Sequence, residues 1–159
     1  MTISHAQADE MTASLERYAA ERACEKLVYR FLRLLESEHS KSVTLFTEDA
    51  EAFNEVGRDK IQELFQRIES VDHNINVLHS SNLWIEIVDD NHATASNDVT
   101  HYVASPEGQP ELTTARTITR WSWDFRRVDG EWLIEKIAYP ENLLLREDVI
   151  ELLEEQQQE

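Results

Sequence analysis

The sequence predicts an α+β domain in which helices come first and pack on one face of a curved antiparallel sheet. Two observations carry this reading. The spacing of apolar residues changes from a 3.6-residue period to a 2-residue period after Ser70. Asp129-Gly130 also sits between two runs that alternate apolar and polar residues, the strongest short-range signature of a two-residue hairpin, because both turn positions need positive φ.

The elements follow in order. Residues 1–12 read as a loose tail. From Ala13 to Glu38, Ala20, Cys24, Leu27, Phe31 and Leu34 recur at four- and three-residue steps, which predicts one long helix. Ser40 is placed to cap a second short helix with Val43 and Phe46 facing inward. Residues 48–56 read as irregular or extended and end at Gly57. Residues 59–70 form a third helix with Ile61, Leu64, Phe65 and Ile68 on one face. Strands follow. Ile75, Val77 and His79 share a parity with Leu83, Ile85 and Ile87, allowing a kink near Ser80-Ser81. Ala93 to Ala104 alternates, with Asn97 and His101 on the apolar side. Residues 112–128 and 132–139 complete the hairpin, and Pro140 is expected to stop the sheet. Residues 13–140 thus form the domain, and residues 141–159 a C-terminal helix with a polar acidic tail.

Size and composition bound the function. A chain of 159 residues is one domain with a real core. The net charge of −17 argues against nucleic-acid and anionic-membrane partners, which want a basic face. The sequence has no 18-residue apolar run, and Met1 to Glu10 lacks the apolar region of a signal peptide. Its single cysteine, Cys24, excludes an internal disulfide, and a cytoplasmic location is expected. Cys24 reads as core.

The hairpin register sets Val128 against Glu131, Phe125 against Ile134, Trp123 against Lys136 and Trp121 against Ala138. One face then carries Trp121, Trp123, Phe125, Trp132 and Ile134. The other carries Arg120, Ser122, Leu133, Ile137 and Tyr139. If Arg120 and Tyr139 point into the domain, the tryptophans point outward and suit a partner subunit.

Several segments resemble the NTF2-like superfamily, and within it the SnoaL-like group that contains polyketide cyclases and relatives of scytalone dehydratase. They are Leu45-Phe46-Thr47-Glu48-Asp49-Ala50, Gly57-Arg58-Asp59-Lys60-Ile61, His79-Ser80-Ser81-Asn82 and Val128-Asp129-Gly130-Glu131-Trp132. The resemblance implies an open cone with a pocket between the first helix and the concave sheet face. It also implies a small hydrophobic organic ligand and a homodimer through the convex face, here assigned to Trp121, Trp123 and Trp132. The dehydratase-like and dehydrochlorinase-like members pair a strand histidine with an aspartate near the end of the first helix. His79 matches the histidine. Leu35 occupies the aspartate position, with Glu36 beside it.

The candidate site follows. His79 takes a proton from a carbon next to a carbonyl, and His101 acts as acid or oxyanion donor. Asn97, Arg120, Tyr139, Phe31 and Glu36 contact the substrate, and Glu36 replaces the missing aspartate only if the helix shifts by one residue. No cofactor is implied, and two histidines without a placed carboxylate make a poor metal site. The expected function is a small-molecule pocket protein of the lyase or isomerase type. The alternative is a non-catalytic ligand-binding or dimerisation module, which the vacant carboxylate position supports.

Overall fold

The computed structural model describes residues 4–108, 112–147 and 149–150. Helix α1 (His5–Leu35) leads into a 3₁₀ segment (His39–Leu45), strands β1 (Phe46–Ala52) and β2 (Glu55–Val56), and helix α2 (Arg58–Val71). Strands β3 (Ile75–Ile87), β4 (His92–Ala104), β5 (Thr117–Val128) and β6 (Glu131–Leu145) follow. The sheet is curved and unclosed, in the order β2-β1-β6-β5-β4-β3. Strands β3 to β6 form the expected antiparallel meander, but β1 runs parallel to β6, so the sheet is mixed.

Helix α1 starts earlier than its apolar stripe suggests. Ser4 and Gln7 form a capping box: Ser4 Oγ accepts from the Gln7 N–H at 3.3 Å, and Gln7 Oε1 accepts from the Ser4 N–H at 3.1 Å. Residues 5–12, expected as tail, are therefore helical. The second half of α1 buries Cys24, Val28, Phe31, Leu32 and Leu35 against the sheet. Burial pushes the Cys24 thiol up to about 12, which makes it inert core. Ser40 does not cap a helix. Its N–H and hydroxyl both donate to Glu69 Oε1 of α2, at 2.9 and 3.1 Å.

The predicted hairpin turn is present, with φ of +50° at Asp129 and +86° at Gly130. The register begins as expected, Val128 opposite Glu131 and Phe125 opposite Ile134. It then slips: Asp124 faces Lys136 and Trp123 faces Ile137. The extra residue is a β-bulge, and a one-residue slip exchanges the faces of the rest of the strand. Tyr139 thereby joins Trp121, their ring centroids 4.7 Å apart. A second slip lies between the Ser122–Ala138 and Arg120–Glu141 pairs. It takes in Pro140, which has no N–H to give a ladder, so β6 continues to Leu145 instead of stopping. Residues 143–145 are consequently strand, and helical backbone is described only at Glu147, Val149 and Ile150. The rest of the expected C-terminal helix lies outside the described residues.

The tryptophan face points inward, correcting the outward assignment. Trp121 and Trp123 are buried with Phe125, Ile134 and Ile137 beneath α1, and Trp132 packs against the same cluster. Trp123 meets the Phe31 ring edge-on at 5.7 Å. The physical reason is area: three indoles and a phenyl on one face gain far more from burial than a face carrying Arg120, Ser122 and Asp124.

Strand β3 has the kink expected near Ser80-Ser81, and it too is a bulge. Ser81 faces Asp98 and Trp84 faces Ser96, with Asn82 at φ +52°. The extra residue reverses parity. Leu83, Ile85 and Ile87 face the core as expected, but before the bulge the inward set is Asn76, Leu78 and Ser80. Ile75, Val77 and His79 turn to the convex face. Among the described residues, no helix is long and apolar enough to cross a membrane.

Candidate active site

Aromatic rings fill the inside of the cone. Phe31 contacts Phe46, Phe53, Phe65 and Trp123 at centroid distances of 5.4 to 6.4 Å. Phe31 is fully buried, so it is a wall without access to a ligand. Asn97 is buried at the same depth and its amide is occupied at both ends. Its Oδ1 accepts from Trp123 Nε1 at 2.7 Å, and its Nδ2 donates to Ser80 Oγ at 2.8 Å. That arrangement satisfies a buried indole, and at 1% exposure the amide is out of reach of a ligand. Tyr139 packs on Phe53 and Trp121. Although 37% of its surface stays exposed, enough protein crowds the phenol for burial to raise its pKa well above the ordinary value.

The two histidines expected to converge lie on opposite faces of the sheet. His79 is exposed on the convex face beside Tyr102, ring centroids 5.7 Å apart. Leu78 holds the inward position next to it. Arg120 is also on the convex face. It donates from Nε to Asp98 Oδ1 at 2.9 Å and approaches Glu141 at 3.4 Å, while Asn82 donates to Asp98 at 2.8 Å. Hydrogen bonds from Arg120, then Asn82, hold the Asp98 carboxyl below the ordinary carboxylate range. Glu36 ends α1, and its Oε1 accepts from the backbone N–H of Leu78 at 3.0 Å. It latches the helix to β3.

His101 is the predicted catalytic residue that the fold does orient. Its Nε2 lies 2.9 Å from Asn76 Oδ1. Asn76 Nδ2 donates to Asp72 Oδ2 at 3.0 Å and to the Asn74 carbonyl at 3.3 Å. Because the amide nitrogen faces two acceptors, the amide oxygen faces the imidazole, and Nε2 must carry the proton. Nδ1 is left with the lone pair of a base. Burial, then the nearby Arg116 cation, lowers the His101 pKa, with Asp72 opposing, so the ring is neutral at pH 7. Asp72 is ionised, its pKa lowered first by the Asn74 N–H and then by the Asn76 and Asn74 side chains.

Asn76 and Asp72 also line a cavity of about 510 Å³ where the ends of α1 and α2 meet the start of β3; Glu36, His39, Glu69 and Asn74 border it too. His39 is half-buried against the Phe65 ring. Its Nδ1 is buried without a hydrogen-bond partner, and burial lowers its pKa. Asp72, Asn76 and His39 were not visible as site residues in the sequence. The available signal was Asp72-His73-Asn74-Ile75-Asn76, in which the acid and both amides recur at two-residue steps, the pattern of one side of a strand entry. Among the described residues, no three His, Cys, Asp or Glu side chains form a group able to hold a metal ion.

Residues 16–138 match the SnoaL-like domain family. The chain belongs to that family. Solved structures share the fold of this SnoaL-like domain at low identity. A putative scytalone dehydratase from Novosphingobium aromaticivorans is 19% identical, with a TM-score of 0.64 over 84% of this chain and 93% of its own. A hexachlorocyclohexane dehydrochlorinase, LinA type 2, is 17% identical, with a TM-score of 0.67 over 84% and 94%. An NTF2-like protein of unknown function from Pseudomonas putida is 13% identical, with a TM-score of 0.61 over 76% and 84%. No curated protein sequence matches. At these identities the structural likeness establishes the NTF2-like fold alone.

Proposed function

We propose that this SnoaL-like protein binds a small organic molecule at the cavity between the α1 and α2 ends and moves a proton on it without a cofactor, in the manner of a lyase or isomerase. His101 is the base. The observation that carries this is the Asp72–Asn76–His101 chain of hydrogen bonds, which fixes a neutral imidazole with its Nε2 protonated and its Nδ1 free. General-base catalysis by one positioned histidine contributes roughly 10²–10⁴-fold. A protein described as a putative scytalone dehydratase and a hexachlorocyclohexane dehydrochlorinase share this architecture, which supports a carbon-acid chemistry for the class of substrate.

A second reading is a non-catalytic binding module. It is favoured by the aromatic rings that fill the cone and by Leu78 at the inward position where a histidine was expected. A thermal-shift screen of cyclic ketones and polyphenols, repeated with His101→Ala and His79→Ala, tests the site. The expected result is a stabilising hit lost in His101→Ala and kept in His79→Ala. Equal shifts in all three proteins would remove His101 from the site.

A further inference from the structure

We infer that α1 is a homodimerisation element that pairs antiparallel with α1 of a second copy of this chain, centred near Ala20. Helix α1 is 31 residues long, yet only its second half covers the domain, and residues 5–19 are exposed on every side. Beside the buried stripe runs a second one. Met11, Leu15, Tyr18, Arg22, Glu25 and Tyr29 follow steps of four and three residues, the spacing of a helix–helix seam. Met11, Leu15, Tyr18 and Tyr29 stand 55%, 63%, 67% and 47% exposed. A groove of about 530 Å³ lies between this stripe and Leu83 and Ile85 of β3, which is the open edge of the sheet.

Charge identifies the occupant as a second copy. The chain carries −17, but α1 is neutral, with five acidic residues (Asp9, Glu10, Glu16, Glu21, Glu25) and five basic ones (Arg17, Arg22, Lys26, Arg30, Arg33). The halves differ in sign. Residues 5–19 hold three acids against one base, and residues 20–35 hold two acids against four bases. An antiparallel pair lays the acidic half of each helix on the basic half of the other, and a parallel pair opposes like charges. Two copies thus meet through the element that does not add to their mutual repulsion. In this register Met11 lies over Tyr29, and Tyr18 lies over the Arg22 guanidinium, a cation–π geometry. The seam is about 27 Å long, from the 18 steps between Met11 and Tyr29 at the helical rise, and the contact is isologous, so it closes at two subunits.

The full chain is examined by light scattering coupled to size exclusion. Twice the monomer mass is expected, falling to the monomer in Leu15→Glu and Tyr18→Glu with unchanged circular dichroism, since both side chains are exposed. Under mild oxidation, Ala19→Cys, near the centre, forms a disulfide between copies, and Thr12→Cys, far from it, does not; Cys24 is buried and silent. A monomeric natural chain, a dimer that survives both charge substitutions, or equal cross-linking of Ala19→Cys and Thr12→Cys would each overturn the proposal.

Discussion

Replacing Asn97 by leucine keeps the bulk of the side chain and removes both of its hydrogen bonds. The Trp123 indole N–H, 2.7 Å from the amide oxygen, then has no acceptor in a position where the ring is 1% exposed. A buried donor left unpaired costs about 1–3 kcal/mol. Trp123→Phe removes that donor and instead leaves a partial cavity, which costs part of the ~3–5 kcal/mol of a full truncation to alanine. In the Trp123→Phe background, Asn97→Leu strands no N–H, so most of its cost disappears. The double-mutant cycle therefore gives a coupling of about 1–3 kcal/mol. Urea unfolding of the four proteins at pH 8 reads it as midpoint shifts at constant m-value. Additivity within about 0.5 kcal/mol would mean that Trp123 and Asn97 do not bond and that the inward placement of the tryptophan face is wrong.

Three further outcomes follow from the geometry. The folded pKa values of His39 and His101 lie below the ordinary 6.5, so the native state binds fewer protons than the unfolded chain in the window beneath 6.5. Their stabilisation is complete above that value and is lost as pH falls through the window. Urea midpoints should fall between pH 8 and pH 5, and less steeply in His101→Gln; a slope unchanged in that variant contradicts the burial of His101. The lowered carboxyl groups of Asp72 and Asp98 add a separate loss only as pH falls below their ordinary 3.8. Gly57→Ala has room for its Cβ, the nearest atom being the Glu48 carbonyl oxygen at 3.9 Å, but its backbone sits at φ +94° and ψ 138°. The cost is strain alone, about 1–3 kcal/mol, and an unchanged melting temperature would refute it. Arg120→Met should destabilise by about 1–3 kcal/mol, because it leaves the Asp98 carboxylate, its side chain only 10% exposed, without its cation. It should also leave ligand hits intact; loss of a hit would put Arg120 in the site.

Element types were legible because they are written in local periodicity and turn chemistry. The Asp129-Gly130 turn, the α1 stripe and the alternation of Ala93 to Ala104 needed no tertiary information. Facing was not legible wherever a strand carries a bulge. The expectation for Ile75, Val77 and His79 and the expectation for Tyr139 both assumed unbroken period-2 alternation. One inserted residue in β3 and one in β6 reversed the faces beyond it. Burial of the tryptophan face is the outcome that apolar area alone favours, and the placing of Arg120 and Tyr139 inside the domain pointed the other way. The Asp72–Asn76–His101 chain joins residues 25 and 29 positions apart from the histidine, so it exists only once β3 and β4 are paired. His101 was visible by parity, while its orienting partners were polar residues in an ordinary strand entry.

Solvent deuterium exchange tests most directly that His101 is the group that moves a proton. Cyclic ketones that stabilise the protein are incubated in deuterium oxide with the natural chain, His101→Gln and His79→Gln, and incorporation next to the carbonyl is followed by NMR. Exchange is expected with the natural chain and with His79→Gln, and none above background with His101→Gln. Exchange that persists in His101→Gln, or that vanishes in His79→Gln alone, would contradict it.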